Sequence, residues 1–143
     1  MSWVSKELAG AHLGDARRTQ RLIQIVEDLA AQPNASVPEA SRDRAAMQGM
    51  YDFWANRRVS PDAIIGAHAQ RTIARMSKHQ TVLAIQDTTE LDYSHHRSTQ
   101  GLGGISKARA RGLKVHRVLA TSAAGVPLGA LHQEVCARPK VRF

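Results

Sequence analysis

Asp87 follows a short apolar run, Val82-Leu-Ala-Ile85, separated from it only by Gln86. Such a run has the pattern of a core strand covered on both faces. Two threonines come next, so the expectation is a strand that opens into a loop with Asp87 at its exposed end. A carboxylate there is placed to hold a hard divalent cation through oxygen. Glu90 and Asp92 lie close by, but one strand or loop does not easily aim all three groups at one ion pair. Beyond Asp92 the only acid is Glu134. A second set of residues is cationic. Arg17, Arg18 and Arg21 fall in the first turns of an expected helix, with Arg17 and Arg21 on one face at i, i+4. They can contact phosphates or bases, or form an ordinary solvated face. Arg57 and Arg58 close a second helix and could touch phosphate; an exposed turn is the plain alternative. Lys107, Arg109 and Arg111 lie in a glycine-bearing loop, Ser94 to Gly112, with His95, His96 and Arg97. That composition and length suit a mobile basic loop lying on a nucleic-acid backbone. The two histidines have no matching ligands nearby, and no Cys/His spacing points to zinc.

The elements that must position these groups can be read from spacing. Residues 15–31 form a helix with Asp15 as N-cap after Gly14. Leu22, Ile25, Val26 and Leu29 mark its buried face. A second helix runs from about Glu39 to Ala55, with Ala46, Met50, Phe53 and Trp54 as a core stripe. Ser60-Pro61-Asp62 opens a third, by cap, first-turn proline and dipole-complementing acid. It reaches about Ser77 and buries Ile64, Ile65, His68 and Met76, with His68 as a satisfied core or interface histidine. Three helices over residues 1–78 make one compact module. Residues 79–143 read as strands: Leu83–Asp87, Leu113–Ser122 and Leu128–Val135, with a turn at Ala123–Val126 whose Gly125 sets the register. The class is α+β.

The chain has 143 residues, enough for one ordinary domain or two small ones. No apolar run is long enough to span a bilayer, and the start shows no secretory h-region. The single cysteine, Cys136, excludes an internal disulfide and fits a reducing cytosol; it is expected buried at a strand end. Net charge is +8, and its placement matters more than its size. Residues 1–92 hold 11 basic and 11 acidic residues, whereas residues 93–143 hold 9 and 1. The C-terminal third therefore carries the excess, which favours polyanions through counterion release.

Four segments, in order, resemble a known family: Leu13-Gly-Asp-Ala-Arg-Arg-Thr-Gln-Arg-Leu22; Ala46-Met-Gln through Tyr51-Asp-Phe and Asn56 to Val59-Ser-Pro-Asp-Ala-Ile64; Leu83-Ala-Ile-Gln-Asp-Thr-Thr89; and Val115-His-Arg-Val-Leu119 with Gly129-Ala-Leu-His-Gln-Glu134. Together the chain looks like the N-terminal part of a Tn-five-like insertion-sequence transposase, of the Asp-Asp-Glu recombinase superfamily. The resemblance implies a three-helix DNA-binding module followed by the first three strands of a truncated ribonuclease-H-like domain. It implies Asp87 as the first of three catalytic carboxylates that hold two Mg²⁺ or Mn²⁺ ions. The other two lie later in the family, so an isolated chain is expected neither to bind the ions stably nor to cut DNA. The ending Arg138-Pro-Lys-Val-Arg-Phe143 departs from the family pattern after Pro139. The implied partner is double-stranded DNA at transposon ends, with a homodimer or a heterodimer with intact transposase also open. The implied setting is bacterial, cytoplasmic and nucleoid-associated, with no membrane. A metal-dependent transposase or nuclease completed by a second chain stands as the alternative. So does a small basic helical protein with no dedicated function. The resemblance favours DNA contact by Arg17, Arg18 and Arg21 over a solvated face; Arg57 and Arg58 at the helix end, and Lys107, Arg109 and Arg111 in the basic loop, complete the set of expected DNA contacts.

Overall fold

The computed structural model describes residues 1–138; the segment from Pro139 on, which includes the residues that depart from the family pattern, lies outside the described residues. The chain divides into two compact units, Met1–Arg71 and Thr72–Phe143. The division falls inside a helix, seven residues before the end of the expected 78-residue module. The last turns of that helix bond within the second unit: Arg75 Nε donates to the Leu128 carbonyl at 2.5 Å.

The first unit is helical, with five helices in place of the expected three: α1 Trp3–Glu7, α2 Ala16–Ala31, α3 Val37–Ala40, α4 Arg44–Ala55 and α5 Pro61–Met76, the last running on into the second unit. The short α1 has no counterpart among the expected elements. Its Val4 and Leu8 are buried, and Ser2 caps it by accepting from the Ser5 N–H. The expected Glu39–Ala55 helix is two elements. Ser41 is extended, and Asp43 starts afresh by accepting from the Ala46 N–H at 2.7 Å. A second N-cap residue inside a helical pattern offers the backbone this alternative. Upstream, Glu39 accepts from both the N–H and the hydroxyl of Ser36, which closes α3 as a unit of its own. Asp15 caps α2 as expected, and the Ser60 hydroxyl accepts from the Ala63 N–H at the head of α5.

The core of this unit gathers Val4, Leu8, Leu13, Leu22, Ile25, Met50 and Phe53. Val26, Leu29 and Ile64 pack against it, partly buried. Trp54 departs from the expected core stripe. It is 49% exposed and meets Tyr51 edge-on, with ring centroids 5.8 Å apart. Met50 and Phe53 fill the α4 contact, and Trp54 lies about 100° further round the helix. His68 is half-buried and bonds Glu7 at 2.7 Å, a satisfied histidine.

The second unit is an antiparallel sheet of β1 Val82–Asp92, β2 Gly103–Gly104, β3 Arg111–Ser122 and β4 Pro127–Cys136. β3 is central: β1 and β4 flank it, and the two-residue β2 pairs with its start. The β3–β4 turn has Gly125 at φ 81, where a left-handed residue is needed, and its N–H donates to Ser122. Two expectations fail in β1. The strand is not covered on both faces: Leu83 and Ile85 are each 49% exposed, and no layer packs over them among the described residues. Nor does it open at Asp87. Pairing continues through Thr88↔His116 and Thr89↔Val115 to Asp92↔Gly112, because threonine is a good strand residue. Cys136 is exposed at the end of β4, not buried.

The loop between β1 and β3 carries its own hydrogen-bonded framework. Tyr93 N donates to Arg111 O, Arg111 N to Ser94 Oγ, and Ser94 to Asp92. Glu90 anchors the far side, accepting from Ser106 N–H and Oγ and pairing Lys114 Nζ at 2.9 Å. The Lys114 ammonium, then the Ser106 N–H and hydroxyl, push the Glu90 carboxyl down to about 2, from 4.5. A depressed folded-state pKa stabilises fully above the unfolded value and ceases to do so as pH falls through the folded one. The second unit is therefore expected to lose stability between about pH 4.5 and pH 2 on this account. A Glu90→Gln variant should show a flatter acid limb in hydrogen exchange of the β1 and β3 amides. Identical limbs would show that the pair does not support the loop. No helix among the described residues is long and apolar enough to cross a membrane.

Candidate nucleic-acid interface

The segment before α2 fixes where its arginines stand. Ala11 and Leu13 are buried, and Gly14 turns the chain at φ 74. Thr19 Oγ1 donates to the Ala11 carbonyl, and Arg18 Nη1 to the Leu13 carbonyl at 2.6 Å. The sequence Leu-Gly-Asp-x-Arg-Arg is thus partly a fold device: Arg18 ties the first turns of α2 to the loop that leads into them. Arg17 is the outermost of the three, its side chain 92% exposed. It pairs with Asp15 at 3.2 Å, and hydrogen bonds from the Arg17 side chain and N–H hold the Asp15 carboxyl below its usual value. A pair this exposed is weak, so a phosphate can take the guanidinium over.

Arg21 rests on α4. A methyl group at Gly49 would come within 3.0 Å of Arg21 Nη1 and 3.3 Å of its Cζ. A glycine inside a helix is unfavourable by roughly 1 kcal/mol against alanine. Here it leaves a seat on which the guanidinium lies. Arg17, Arg18 and Arg21 of α2, with Gly49, Asp52 and Asn56 of α4 and its C-cap, line a groove of about 360 Å³. Buried Phe53 and half-buried Asp15 complete its lining. Gly49 and Asp52 are the residues that sequence reasoning missed. The signal present in the sequence was a helix-interior glycine beside a polar series, Gln48, Asp52 and Asn56, at i, i+4, i+8.

The other expected contacts divide between the units. Arg57 and Arg58 are exposed in the turn directly after Asn56, whose side chain accepts from the Arg58 N–H. Lys107, Arg109 and Arg111 belong to the second unit. Lys107 stands 3.9 Å from Asp92, and Arg111 Nη2 donates to the Thr99 carbonyl. Arg109 is exposed on a left-handed backbone, φ 62, which is uncommon for a residue with a side chain.

Asp87 is exposed in the middle of β1, opposite Arg117, whose Nε donates to Gln133. Alternation along the strand sends Asp87 to one face and Glu90 and Asp92 to the other. Those two are engaged with Lys114 and Ser106, and with Ser94 and Lys107. Among the described residues no three His, Cys, Asp or Glu side chains gather at a point that could hold a metal ion. The residues around Asp87 therefore do not by themselves fit the ion pair that the family resemblance implied.

Residues 1–59 match the family model of transposase DNA-binding domains. The match begins at the first residue and ends just before α5, so it contains α1 to α4 and every residue of the arginine groove. It supports a transposase DNA-binding role for residues 1–59 of the first unit. The sheet of the second unit lies outside it. Within the matched segment the exposed cations include Arg17, Arg21, Arg57 and Arg58, and also Lys6, Arg42 and Arg44, while Arg18 is half-buried and also serves the fold.

Proposed function

We propose that the chain binds duplex DNA at transposon ends through the α2–α4 groove, and that alone it does not cut the DNA it binds. The observation that carries the reading is the seating of the Arg21 guanidinium over Gly49 beside Arg17 and Arg18, inside the segment that matches transposase DNA-binding domains. Donor-only guanidiniums set on a rigid helix pair suit phosphate oxygens and guanine edges. The further assignments rest on the family resemblance: the strand segment as the start of a ribonuclease-H-like domain, and Asp87 as a first ligand for Mg²⁺ or Mn²⁺. The loop cations Lys107, Arg109 and Arg111 would add phosphate contacts. No bond-breaking step is assigned to Asp87, because its face of the sheet offers Arg117 and Gln133 as neighbours, not a second carboxylate.

Titration of the full chain into a duplex carrying candidate ends, over a salt series, tests the binding half. Affinity should fall steeply with salt, with a log–log slope of about −0.9 per phosphate engaged, and random duplex should bind more weakly. Equal affinity for both duplexes would remove the end-recognition claim. Incubation with supercoiled plasmid and Mg²⁺ or Mn²⁺ tests the rest. Nicking that disappears in Asp87→Ala would show that the chain cuts by itself.

A further inference from the structure

The arginine groove contains a carboxylate that does not neutralise the arginines. Asp52 lines it from α4, yet forms no ion pair with Arg17, Arg18 or Arg21 among the described residues. Its Oδ1 instead accepts from Gln48 Nε2 at 2.8 Å, one turn back on the same helix. That bond sets the orientation of the carboxylate, and Oδ2 has no partner among the described residues. A surface built only to grip phosphates would be better without this charge, since a phosphate and a carboxylate repel. An ionised carboxylate accepts hydrogen bonds and donates none. In the DNA major groove the donors are the exocyclic amines, cytosine N4 and adenine N6. Adenine sets its N7 acceptor beside that amine, facing the second carboxylate oxygen, whereas cytosine offers N4 alone. The guanine opposite a cytosine carries two acceptors, N7 and O6, which suit arginine.

We infer that Asp52 is a specificity-determining residue. It accepts from the N4 amine of a cytosine while a neighbouring groove arginine takes guanine, so that the groove reads a C·G pair and not phosphates alone. This rests on the DNA-binding reading above and goes further by assigning a base to a side chain. Gln48 is the positioning residue, holding the carboxylate edge-on. The same charge weakens attachment to any sequence that lacks the amine, so Asp52 adds specificity by rejection as well as by contact.

Selection of binding sites from a randomised duplex library, with the full chain and two variants, tests it. The wild-type chain should enrich cytosine at one position. Asp52→Ala should lose that preference by about tenfold, the usual size for one base contact, while binding random duplex more tightly. Asp52→Asn, which pairs with adenine N6 and N7, should move the preference to adenine. An Asp52→Ala chain that selects the wild-type motif with cytosine intact overturns the inference and leaves DNA binding standing. A wild-type chain that retains no duplex overturns the DNA-binding reading, and the inference with it.

Discussion

Replacing Arg17 and Arg21 together with alanine is expected to weaken duplex binding by about tenfold to a hundredfold near physiological salt. Each phosphate that the variant no longer engages also lowers the magnitude of the salt slope by about 1. The two residues are chosen because the structure frees them from the fold. Arg17 holds only an exposed pair with Asp15, and Arg21 lies over Gly49 without a carbonyl partner among the described residues. Arg18 is left alone, since its bond to the Leu13 carbonyl would confound binding with stability. The double variant should therefore unfold at the wild-type denaturant midpoint while its slope falls by about 2. An unchanged slope and affinity would show that these guanidiniums do not touch DNA. A lowered midpoint would show instead that they belong to the fold.

Met50→Ala is expected to remove about 3 kcal/mol from the first unit, within the usual cost of truncating a buried methionine. Met50 is 1% exposed and lies in the same core as Leu22 and Ile25, at the contact of α4 with α2. Its sulfur also accepts from the Ser41 hydroxyl at 3.8 Å. For a unit of this size such a loss moves the thermal midpoint by more than about 10 °C. Both tryptophans, Trp3 and Trp54, belong to this unit, so their fluorescence follows its unfolding alone. Met50→Leu, which keeps the volume, should cost less than about 1.5 kcal/mol. Equal effects from the two substitutions would mean that the site is not packed as described. DNA binding should fall with Met50→Ala as the melting range approaches the assay temperature, because Gly49, Asp52 and Asn56 ride on the helix that Met50 anchors.

Local rules written in consecutive residues were legible from the sequence. Asp15 after Gly14, Ser60 before Pro61, and the apolar spacing of Leu22, Ile25 and Leu29 each name their element, because caps and helical periodicity depend on near neighbours. The antiparallel run of strands was readable for the same reason, with Gly125 marking the turn. The break at Ser41–Asp43 is also written locally, but the apolar stripe around it runs on at helical spacing and masks it.

Other features depend on residues far apart in the chain. That Trp54 faces outward while Phe53 is buried depends on which side of α4 meets α2, and periodicity alone admits either for residues at the edge of a stripe. That Asp87 stands mid-strand depends on β3 continuing to pair past it, through His116 and Val115. The opposite facing of Glu90 and Asp92 then follows from alternation along a strand longer than its apolar run suggests. The sequence by itself determined α2, α5 and the antiparallel run of the three long strands, the basic character and the likeness to transposases, but not α1, the break between α3 and α4, β2 or the true end of β1. Tertiary structure alone decided that Arg21 would seat on Gly49 and that Asp52 would share its groove. The physical reason is one of range: caps and periodicities act between neighbours, whereas a groove between two helices exists only once their buried faces have met.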